Sequence, residues 1–272
     1  MAKLDRLGWA AGTCFDAYGV RIGVRTNKEE ALLRLPEHLP PSWKPATSPA
    51  VDHLYSFRVG ERPRRGVQNY HLLYSGISQV ARTMDLAQLY ETLEADLRQR
   101  VAADAKRGIF VHAGVVAWRG RAIMIPGHSG SGKTTLVAEL LRAGAHYYSD
   151  EFAVVDERGR VHPFAKPLSL RDGGWDEVRK ETPEALGGVR GEKPLPLGLV
   201  AFAPYRRGAR WRPAPLTPGQ CLLALLAHTV PVRRRPEASL SALQRAISGA
   251  LMLKGARGEA EETVPSLLDR LN

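Results

Sequence analysis

Three segments in the first hundred residues have the pattern of strands, and one longer segment has the pattern of a helix. The predicted strands are YGVRIGVRT, DHLYSFRVG and NYHLLYSG. A proline-rich connector, LPEHLPPSWKPATSP, follows the first of them. From Met84 to about Lys106 apolar residues recur at helical spacing, so this segment is predicted to be a helix. Asp85 is expected to cap its start, and Gly108 is expected to end it.

The pattern changes at Ile109, where strands and helices begin to alternate. IFVHAGVVAW and AIMIPG are predicted strands joined by a tight RGR turn. A helix is predicted from about Lys133 to Arg142, and Gly144 is expected to supply a left-handed C-terminal cap. The next segment, AHYYSDEFAVVDERGRVHPF, is predicted to form a strand, a glycine turn and a second strand.

The rest of the chain continues this alternation. LGLVAFAPYR is a predicted strand, TPGQCLLALLAHTV is a predicted helix capped by Thr217, and ALMLKGA is a predicted strand between the helices SLSALQRAISG and VPSLLDRLN. Strands that alternate with helices indicate an α/β layered domain. We therefore expect a small N-terminal α/β domain over residues 1–107 and a second α/β domain over 108–272. The helix that begins near Met84 is expected to link them.

Composition and charge narrow the function classes. The 272 residues carry a formal net charge of +11, which favours an acidic partner or substrate. Aromatic residues do not interleave with the basic clusters, so nucleic-acid binding is not expected. No apolar run approaches the ~20 residues of a membrane helix, and the first residues lack the apolar core of a secretory signal. Two cysteines are too few for a disulfide framework or a zinc site, which makes a reduced cytoplasmic setting the expectation.

The segment PGHSGSGKTT carries the clearest chemistry. It fits the pattern Gly, four residues, Gly-Lys-Ser/Thr, between a predicted strand and a predicted helix. Glycines let the backbone curl so that its N–H groups and the positive end of the helix hold phosphate oxygens. Lys133 is expected to reach the terminal phosphates of ATP, and Thr134 to place its hydroxyl on Mg²⁺. The predicted nucleotide-binding residues are Gly127, Ser129, Gly130, Ser131, Gly132, Lys133, Thr134 and Thr135.

Two adjacent carboxylates, Asp150 and Glu151, follow this loop at the end of a predicted strand. Carboxylates in this position can bind Mg²⁺ and accept a proton from a hydroxyl. Adjacent residues of a strand point to opposite faces, so both can face the nucleotide only where the strand ends or bends. The alternative is that they solvate the end of the strand.

The stretch VHAGVVAWRGRAIMIPGHSGSGKTTLVAELLRAGAHYYSDEFAVV resembles the C-terminal catalytic domain of the HPr kinase/phosphorylase family. In that family a Val-His strand, a hairpin, a G-x-S-G-x-G-K-S/T loop, a helix ended by Gly and a strand ended by two aspartates follow one another. The resemblance covers about residues 109–171. It implies a P-loop kinase domain whose fold is like that of phosphoenolpyruvate carboxykinase.

The resemblance also implies roles for individual residues. Lys133 and Thr134 match the phosphate and Mg²⁺ residues of the loop, and Asp150 matches the general base. Glu151 stands where the family usually has a second Asp, which is a departure from the family pattern. Thr134, Asp150 and Glu151 are the candidate metal ligands. His112 matches a histidine that lies near the transferred phosphate in the family.

Further along the chain, KPLSLR resembles the family segment that follows the carboxylates. Lys166 and Arg171 are therefore candidates to contact the γ-phosphate or the acceptor. The Gly-Arg-Asn signature of the bifunctional enzymes is absent from the sequence, so phosphorylase activity and HPr as the substrate are not expected. Short relatives, including those of lasso-peptide clusters, resemble kinases for a serine of a precursor peptide. The bifunctional enzymes are hexamers, so the resemblance also suggests a homo-oligomer.

Three functions stay open on the sequence alone. The leading hypothesis is an ATP-dependent kinase that phosphorylates a serine hydroxyl of a protein or peptide, with the N-terminal domain helping to recognise the substrate. The second is an ATPase or nucleotide-binding regulator that has no phosphate acceptor. The third is a small-molecule kinase.

Overall fold

The computed structural model describes residues 2–60, 68–171 and 178–272. The chain separates into two compact units, Met1–Arg107 and Gly108–Asn272. Each unit contains a β-sheet with helices of its own, so the protein is a mixed α/β protein.

The first unit is built on one six-stranded sheet. Its strands are β1 (Ala11–Ala17), β2 (Val20–Thr26), β3 (Lys44–Pro45), β4 (His53–Arg58), β5 (His71–Ser75) and β6 (Ser78–Thr83), and its helices are α1 (Ala2–Asp5), α2 (Glu30–Leu33) and α3 (Leu86–Asp104). The sheet order is β3-β1-β2-β4-β5-β6. Strands β2 and β4 are parallel, and the other neighbours are antiparallel.

Helix α3 is part of the first unit and packs on its sheet through β5 and β6. Leu89, Leu93 and Leu97 recur on one face of the helix and are fully buried, which explains why the apolar spacing predicted it. The Asp85 carboxylate accepts a hydrogen bond from the amide of Ala87 at 2.8 Å, so the predicted cap is confirmed. The helix ends at Asp104, earlier than predicted, and it does not act as a separate link.

The second unit contains ten strands and four α-helices in its described residues. Its strands are β7 (Ile109–Trp118), β8 (Arg121–Pro126), β9 (His146–Ser149), β10 (Phe152–Val155), β11 (Arg160–His162), β12 (Leu168–Arg171), β13 (Val178–Glu181), β14 (Leu195–Phe202), β15 (Ala214–Pro215) and β16 (Leu251–Lys254). Its helices are α4 (Lys133–Arg142), α5 (Pro218–Leu226), α6 (Pro236–Ile247) and α7 (Ala260–Asp269). Short 3-10 turns occupy Leu35–His38 of the first unit and Glu184–Leu186 and Val230–Arg233 of the second.

The main sheet of the second unit is mixed. Its order is β11-β10-β7-β8-β14-β16-β15, and β9 pairs with the far half of β7. Strands β8, β14 and β16 run parallel to one another, whereas β7 is antiparallel to both β8 and β10. Parallel strands bring their carboxyl ends to one edge of a sheet, which is where such sheets bind ligands. Strands β12 and β13 form a separate two-stranded sheet.

Helices cover both faces of this main sheet. On one face, Val111 of β7 belongs to the same buried cluster as Leu243 of α6. On the other face, Ile125 of β8 clusters with Leu140 of α4 and Leu267 of α7. This is the layered α/β arrangement that the alternating pattern predicted.

The predicted elements of the second unit are largely confirmed. The β7–β8 hairpin, the helix α4 and the strands β11, β14 and β16 form where the pattern placed them. The single strand predicted before the glycine turn is instead two strands, β9 and β10, separated at Asp150 and Glu151. Gly144 follows α4 with a φ of 93°, and Thr217 forms a capping box at the start of α5. The pattern missed the short helices α1 and α2 and the strands β1, β3, β6, β12, β13 and β15. These strands are short or partly exposed, and β6 reads SQVART, which has little apolar character.

None of the helices in the described part of the chain has the length and apolar character needed to cross a membrane.

Candidate active site

Segments that follow the three parallel strands meet at one edge of the main sheet. The glycine loop, residues 127–132, connects the end of β8 to the start of α4. After β14, the amide of Tyr205 donates to the carbonyl of Ser131 at 3.1 Å. After β16, the Nη2 atom of Arg257 donates to the carbonyl of Gly132 at 2.6 Å. The candidate site is therefore assembled where the parallel strands end.

The shape of the loop requires its glycines. Gly130 and Gly132 have φ angles of 79° and 83°, which lie in the left-handed region. A Cβ atom at Gly127 would lie 2.5 Å from the Ser131 hydroxyl oxygen. A Cβ atom at Gly132 would lie 2.7 Å from Nη2 of Arg257. The sequence pattern that singled out these glycines thus reflects close backbone packing.

The first turn of α4 presents amides with no partner inside the helix. The first intrahelical bond runs from the amide of Leu136 to the carbonyl of Gly132 at 3.1 Å. The N–H groups of Lys133, Thr134 and Thr135 therefore have no helical carbonyl to bind. Together with the positive end of the helix dipole, they form a site suited to phosphate oxygens.

The hydroxyl residues of the loop differ in exposure. Ser129 and Thr135 are exposed, whereas Thr134 is only partly exposed. The Ser131 hydroxyl oxygen is buried and has no hydrogen-bond partner within the residues that the structure describes. A buried hydroxyl in a curled loop is available to donate to a bound anion.

Lys133 is a buried cation at the centre of this loop. Lys133 is the first residue of α4 and is 7% exposed. Its Nζ donates to the carbonyl of His128 at 2.7 Å. Burial lowers the pKa of Lys133 to about 8, although the nearby charges of Asp150 and Glu151 act in the opposite direction. The ammonium group is therefore charged at neutral pH and loses its proton at a lower pH than an exposed lysine does.

Asp150 lies at the break between β9 and β10, next to the loop. Its side chain is 3% exposed. Its Oδ2 atom accepts a hydrogen bond from the Thr134 hydroxyl at 3.3 Å and from the Ser169 amide at 3.4 Å. Its Oδ1 atom lies 3.0 Å from the hydroxyl of Tyr147. Burial raises the pKa of Tyr147 well above its ordinary value, so this hydroxyl keeps its single proton, which either Asp150 or the Lys166 carbonyl, at 2.8 Å, accepts.

Lys166 brings the two carboxylates to one side of the chain. Its Nζ lies 3.2 Å from Oδ1 of Asp150 and 3.6 Å from Oε2 of Glu151. Strand pairing stops at Ser149 and resumes at Phe152, so the chain bends at the carboxylates. The sequence required such a bend for both side chains to face the nucleotide, and the bend is present.

His112 lies in β7 beside the loop and is partly buried. Its amide donates to the carbonyl of His228 at 2.8 Å, and its carbonyl accepts from the amide of Gly127 at 3.3 Å. Burial, followed by the positive charge of Lys133, lowers the pKa of His112 to about 4. The imidazole is therefore neutral at neutral pH. The ring of His228 lies 4.5 Å from that of His128, a residue of the loop, so His112 and His228 both lie beside the loop.

The candidate Arg171 is the last residue of β12. Its side chain lies outside the residues that the structure describes, so its role stays a prediction. Its strand does run beside the carboxylates, because the Ser169 amide bonds to Asp150.

Arg257 and Tyr205 are two residues of this site that the sequence analysis missed. In a trans peptide, the carbonyl of one residue and the N–H of the next point in opposite directions. By binding the carbonyls of Ser131 and Gly132 from outside the loop, Tyr205 and Arg257 turn the amides of Gly132 and Lys133 towards its interior. Arg257 is 1% exposed, and its guanidinium also lies 5.6 Å from the Tyr205 ring. No local motif marks it, because its partner is 125 positions away.

Replacing Arg257 with methionine should weaken nucleotide binding by about tenfold, because the Gly132 carbonyl loses a charged donor and the loop amides lose their orientation. The measurement is a titration with a fluorescent ATP analogue, with the melting temperature recorded in parallel. Arg257→Lys keeps the charge and should recover part of the affinity. Arg245→Met is the control, because Arg245 also donates to a backbone carbonyl, that of Glu157 at 2.7 Å. Unchanged affinity in Arg257→Met, with a lower melting temperature, would show a purely structural role.

The oxygen donors of the site suit a cation that is shared with phosphate. The hydroxyl of Thr134 and the carboxylate of Asp150 are in contact, and Glu151 lies beside them. The described residues contain no group of three or more His, Cys, Asp or Glu side chains arranged to hold a metal ion. Mg²⁺ is commonly held by one or two carboxylates together with substrate phosphates, so this donor set fits Mg²⁺ delivered with a nucleotide.

Comparison with known proteins gives this chain no family by itself. Neither a scan against protein-family models nor a search of curated proteins found a match.

Proposed function

We propose that this protein is an ATP-dependent kinase that transfers the γ-phosphate to a serine hydroxyl of a protein or peptide. The observation that carries this proposal is the 3.3 Å contact between the Asp150 carboxylate and the hydroxyl of Thr134, the residue that closes the loop motif. A proton acceptor therefore stands beside the phosphate cradle, where a terminal phosphate and an attacking hydroxyl would meet. A generic anion pocket has no need of such a carboxylate.

Phosphate binding is assigned to the loop and to Lys133. The glycine-allowed backbone and the first amides of α4 surround the β- and γ-phosphates, and the Ser131 hydroxyl adds a donor. Lys133 supplies a buried positive charge to the terminal phosphates. Because the group is partly desolvated, its attraction for phosphate is stronger than that of a surface lysine.

In the transfer step, the acceptor hydroxyl attacks the γ-phosphorus in line with the leaving oxygen. Asp150 takes the hydroxyl proton as the new O–P bond forms, and the bond from the γ-phosphorus to the bridging oxygen breaks to release ADP. Lys133 and Lys166 balance the charge on the equatorial oxygens and on the carboxylates. His112, neutral at neutral pH, can donate a hydrogen bond to the phosphate without adding charge.

Thr134, Asp150 and Glu151 would hold Mg²⁺ together with the phosphate oxygens. When bound, the ion neutralises part of the charge on the β- and γ-phosphates. Lys166 then has a second function in our proposal: it keeps the two carboxylates oriented towards the same point. Glu151 stands where the HPr kinase family has an aspartate. Its side chain is one methylene longer, so its carboxylate would reach the ion from a more distant backbone position.

The proposal extends to the fold and the partner class. The β7–β8 hairpin before the loop and the mixed sheet agree with the phosphoenolpyruvate-carboxykinase-like fold that the resemblance implies. We propose that the first unit helps recognise the protein or peptide acceptor.

The test follows the label of [γ-³²P]ATP in the presence of Mg²⁺. Purified protein is offered serine-containing peptides and small hydroxyl compounds, and products are separated by class. Label in a peptide supports the proposal, and label in a small compound replaces it with a small-molecule kinase. Label only in free phosphate, whatever acceptor is offered, would replace it with an ATPase or regulator.

The lowered pKa of Lys133 predicts how activity depends on pH. The free enzyme loses the ammonium charge as pH rises through about 8, so kcat/KM for ATP should fall above this pH. Stability should change in the other direction. The unfolded chain binds the lysine proton more tightly than the folded one, so the unfavourable burial of charge disappears as pH rises from about 8 to 10.5. Rates and melting temperatures measured from pH 7 to 10 separate the two effects. A kcat/KM that stays flat through this range would contradict the assignment.

A further inference from the structure

The charges of the second unit are strongly segregated along the sequence. From Lys193 to Pro236, both included, the chain contains eight Lys or Arg residues and neither Asp nor Glu. Four of the eight lie close together in the segment after β14: Arg206, Arg207, Arg210 and Arg212. All four are exposed. We call residues 205–212 the arginine loop.

The arginine loop borders the phosphate cradle directly. Its first residue, Tyr205, binds the Ser131 carbonyl through its amide at 3.1 Å. The amide of Arg206 donates to the carbonyl of Arg257 at 2.8 Å. A Cβ atom at Gly258 would collide with the carbonyl of Ala209. Glycine at this position therefore lets the arginine loop pack closely against the segment after β16. The loop is thus anchored beside the cradle rather than projecting from it.

The four guanidinium groups are not neutralised by the chain around them. Within the described residues, none of the four makes an ion pair or a side-chain hydrogen bond. The carboxylate of Glu259 accepts a hydrogen bond from the exposed hydroxyl of Tyr205 at 3.0 Å and is not paired with any of the four. Unpaired like charges close together make this part of the surface positive, so it attracts anions.

We infer that the arginine loop is the docking surface for the phosphate acceptor, and that the acceptor is a peptide segment with acidic residues next to the modified hydroxyl. This inference rests on the proposed kinase function and specifies its substrate class. The geometry favours the acceptor over the nucleotide, because the loop lies outside the glycine loop, on the far side of the Ser131 and Gly132 carbonyls. An acidic segment bound here would lie next to the cradle, because Tyr205 is joined to Ser131, and it would bring a hydroxyl of the same segment towards the cradle edge.

The test measures binding separately from catalysis. The probe is a fluorescent peptide with one serine flanked by glutamates, and the comparison is the same peptide with glutamines in their place. Fluorescence anisotropy gives both dissociation constants in the presence of Mg²⁺ and a non-hydrolysable ATP analogue. We expect the glutamate peptide to bind at least about tenfold more tightly, with affinity that falls as salt increases.

Matched variants assign this binding to the arginine loop. The loop variant replaces Arg206, Arg207, Arg210 and Arg212 with glutamine. The control variant replaces four other exposed arginines of the second unit with glutamine, Arg119, Arg121, Arg158 and Arg270, and therefore has the same net charge. The loop variant should lose about tenfold or more in affinity for the glutamate peptide, and the control should lose less than about twofold. Equal losses in the two variants would show attraction by net charge alone and overturn the inference.

Two further binding measurements, with the ATP analogue and with an oligonucleotide, test whether the arginine loop binds something other than an acidic peptide. If the loop variant loses affinity for the ATP analogue instead, the loop serves the nucleotide and the inference is wrong. If a single-stranded oligonucleotide of equal charge binds as tightly as the glutamate peptide and depends on the same arginines, the surface selects polyanions and the inference is also wrong. Peptide binding without any phosphate transfer would leave an acidic-peptide site but contradict the kinase proposal, so the failure of one is distinguishable from the failure of the other.

Discussion

Replacing Lys133 with methionine should lower phosphate transfer by about 10²–10³-fold, the loss expected when one preorganised charge donor is removed from a transferring phosphoryl group. Methionine is unbranched and fills the same buried space without the ammonium. The variant should fold at least as well as the native protein, because burial disfavours the charge of Lys133 and lowers its pKa to about 8. The measurement is the initial rate of label transfer from [γ-³²P]ATP, with the melting temperature of each protein.

A matched control separates the local effect from a change of net charge. Lys254→Met removes an exposed lysine at the end of β16 and should leave the transfer rate unchanged. Lys133→Arg keeps a charge but has a planar head group that does not match a point-charge contact, so it should recover only part of the activity. A Lys133→Met protein that transfers phosphate at the native rate would remove this residue from the account.

Replacing Asp150 with asparagine should lower transfer by about 10²–10⁴-fold, the range attributed to a positioned general base. Asparagine keeps an acceptor oxygen for the Thr134 hydroxyl or the Tyr147 hydroxyl, so the local geometry is largely retained. It cannot take the acceptor proton, and it leaves Lys166 without its closest carboxylate. Affinity for an ATP analogue in the absence of Mg²⁺ should change little, because the loop, not Asp150, holds the phosphates. The measurements are transfer rate and analogue binding on the same preparation.

The control for this variant is another carboxylate of the same sheet. Asp156 follows β10 and lies 2.9 Å from Nε2 of His162, so Asp156→Asn also removes a charged partner. It should reduce stability modestly and leave the chemistry intact. If Asp150→Asn retained native turnover, Asp150 would have a structural role only, and the buried contacts with Tyr147 and Lys166 would be its explanation.

Local sequence determined the parts of the site that could be predicted. The glycine loop depends on left-handed backbone angles at Gly130 and Gly132, which glycine adopts far more readily than other residues. The helix α4 and its Gly144 cap follow from apolar spacing and a single conformational requirement. The need for a bend at Asp150 follows from strand geometry, although the sequence alone did not show whether the chain bends there.

The other parts of the site depend on contacts that no local pattern encodes. Arg257 reaches Gly132 because β8, β14 and β16 lie side by side, and strand order is a property of the whole sheet. Lys166 could be named from the resemblance, but its bridging of both carboxylates could not. The short strands β12 and β13 escaped prediction because a few residues carry too little periodicity to identify a strand.

The central claim is that the glycine loop holds a triphosphate and that Asp150 faces the end of it. A crystal structure of the protein with Mg²⁺ and a non-hydrolysable ATP analogue tests this most directly. The account predicts that the β- and γ-phosphates lie against the amides of residues 130–134. It also predicts that the gap between the Asp150 carboxylate and the γ-phosphorus holds one acceptor oxygen, at about 3 Å from each. A nucleotide bound elsewhere, or an Asp150 side chain turned away from the phosphates, would contradict it.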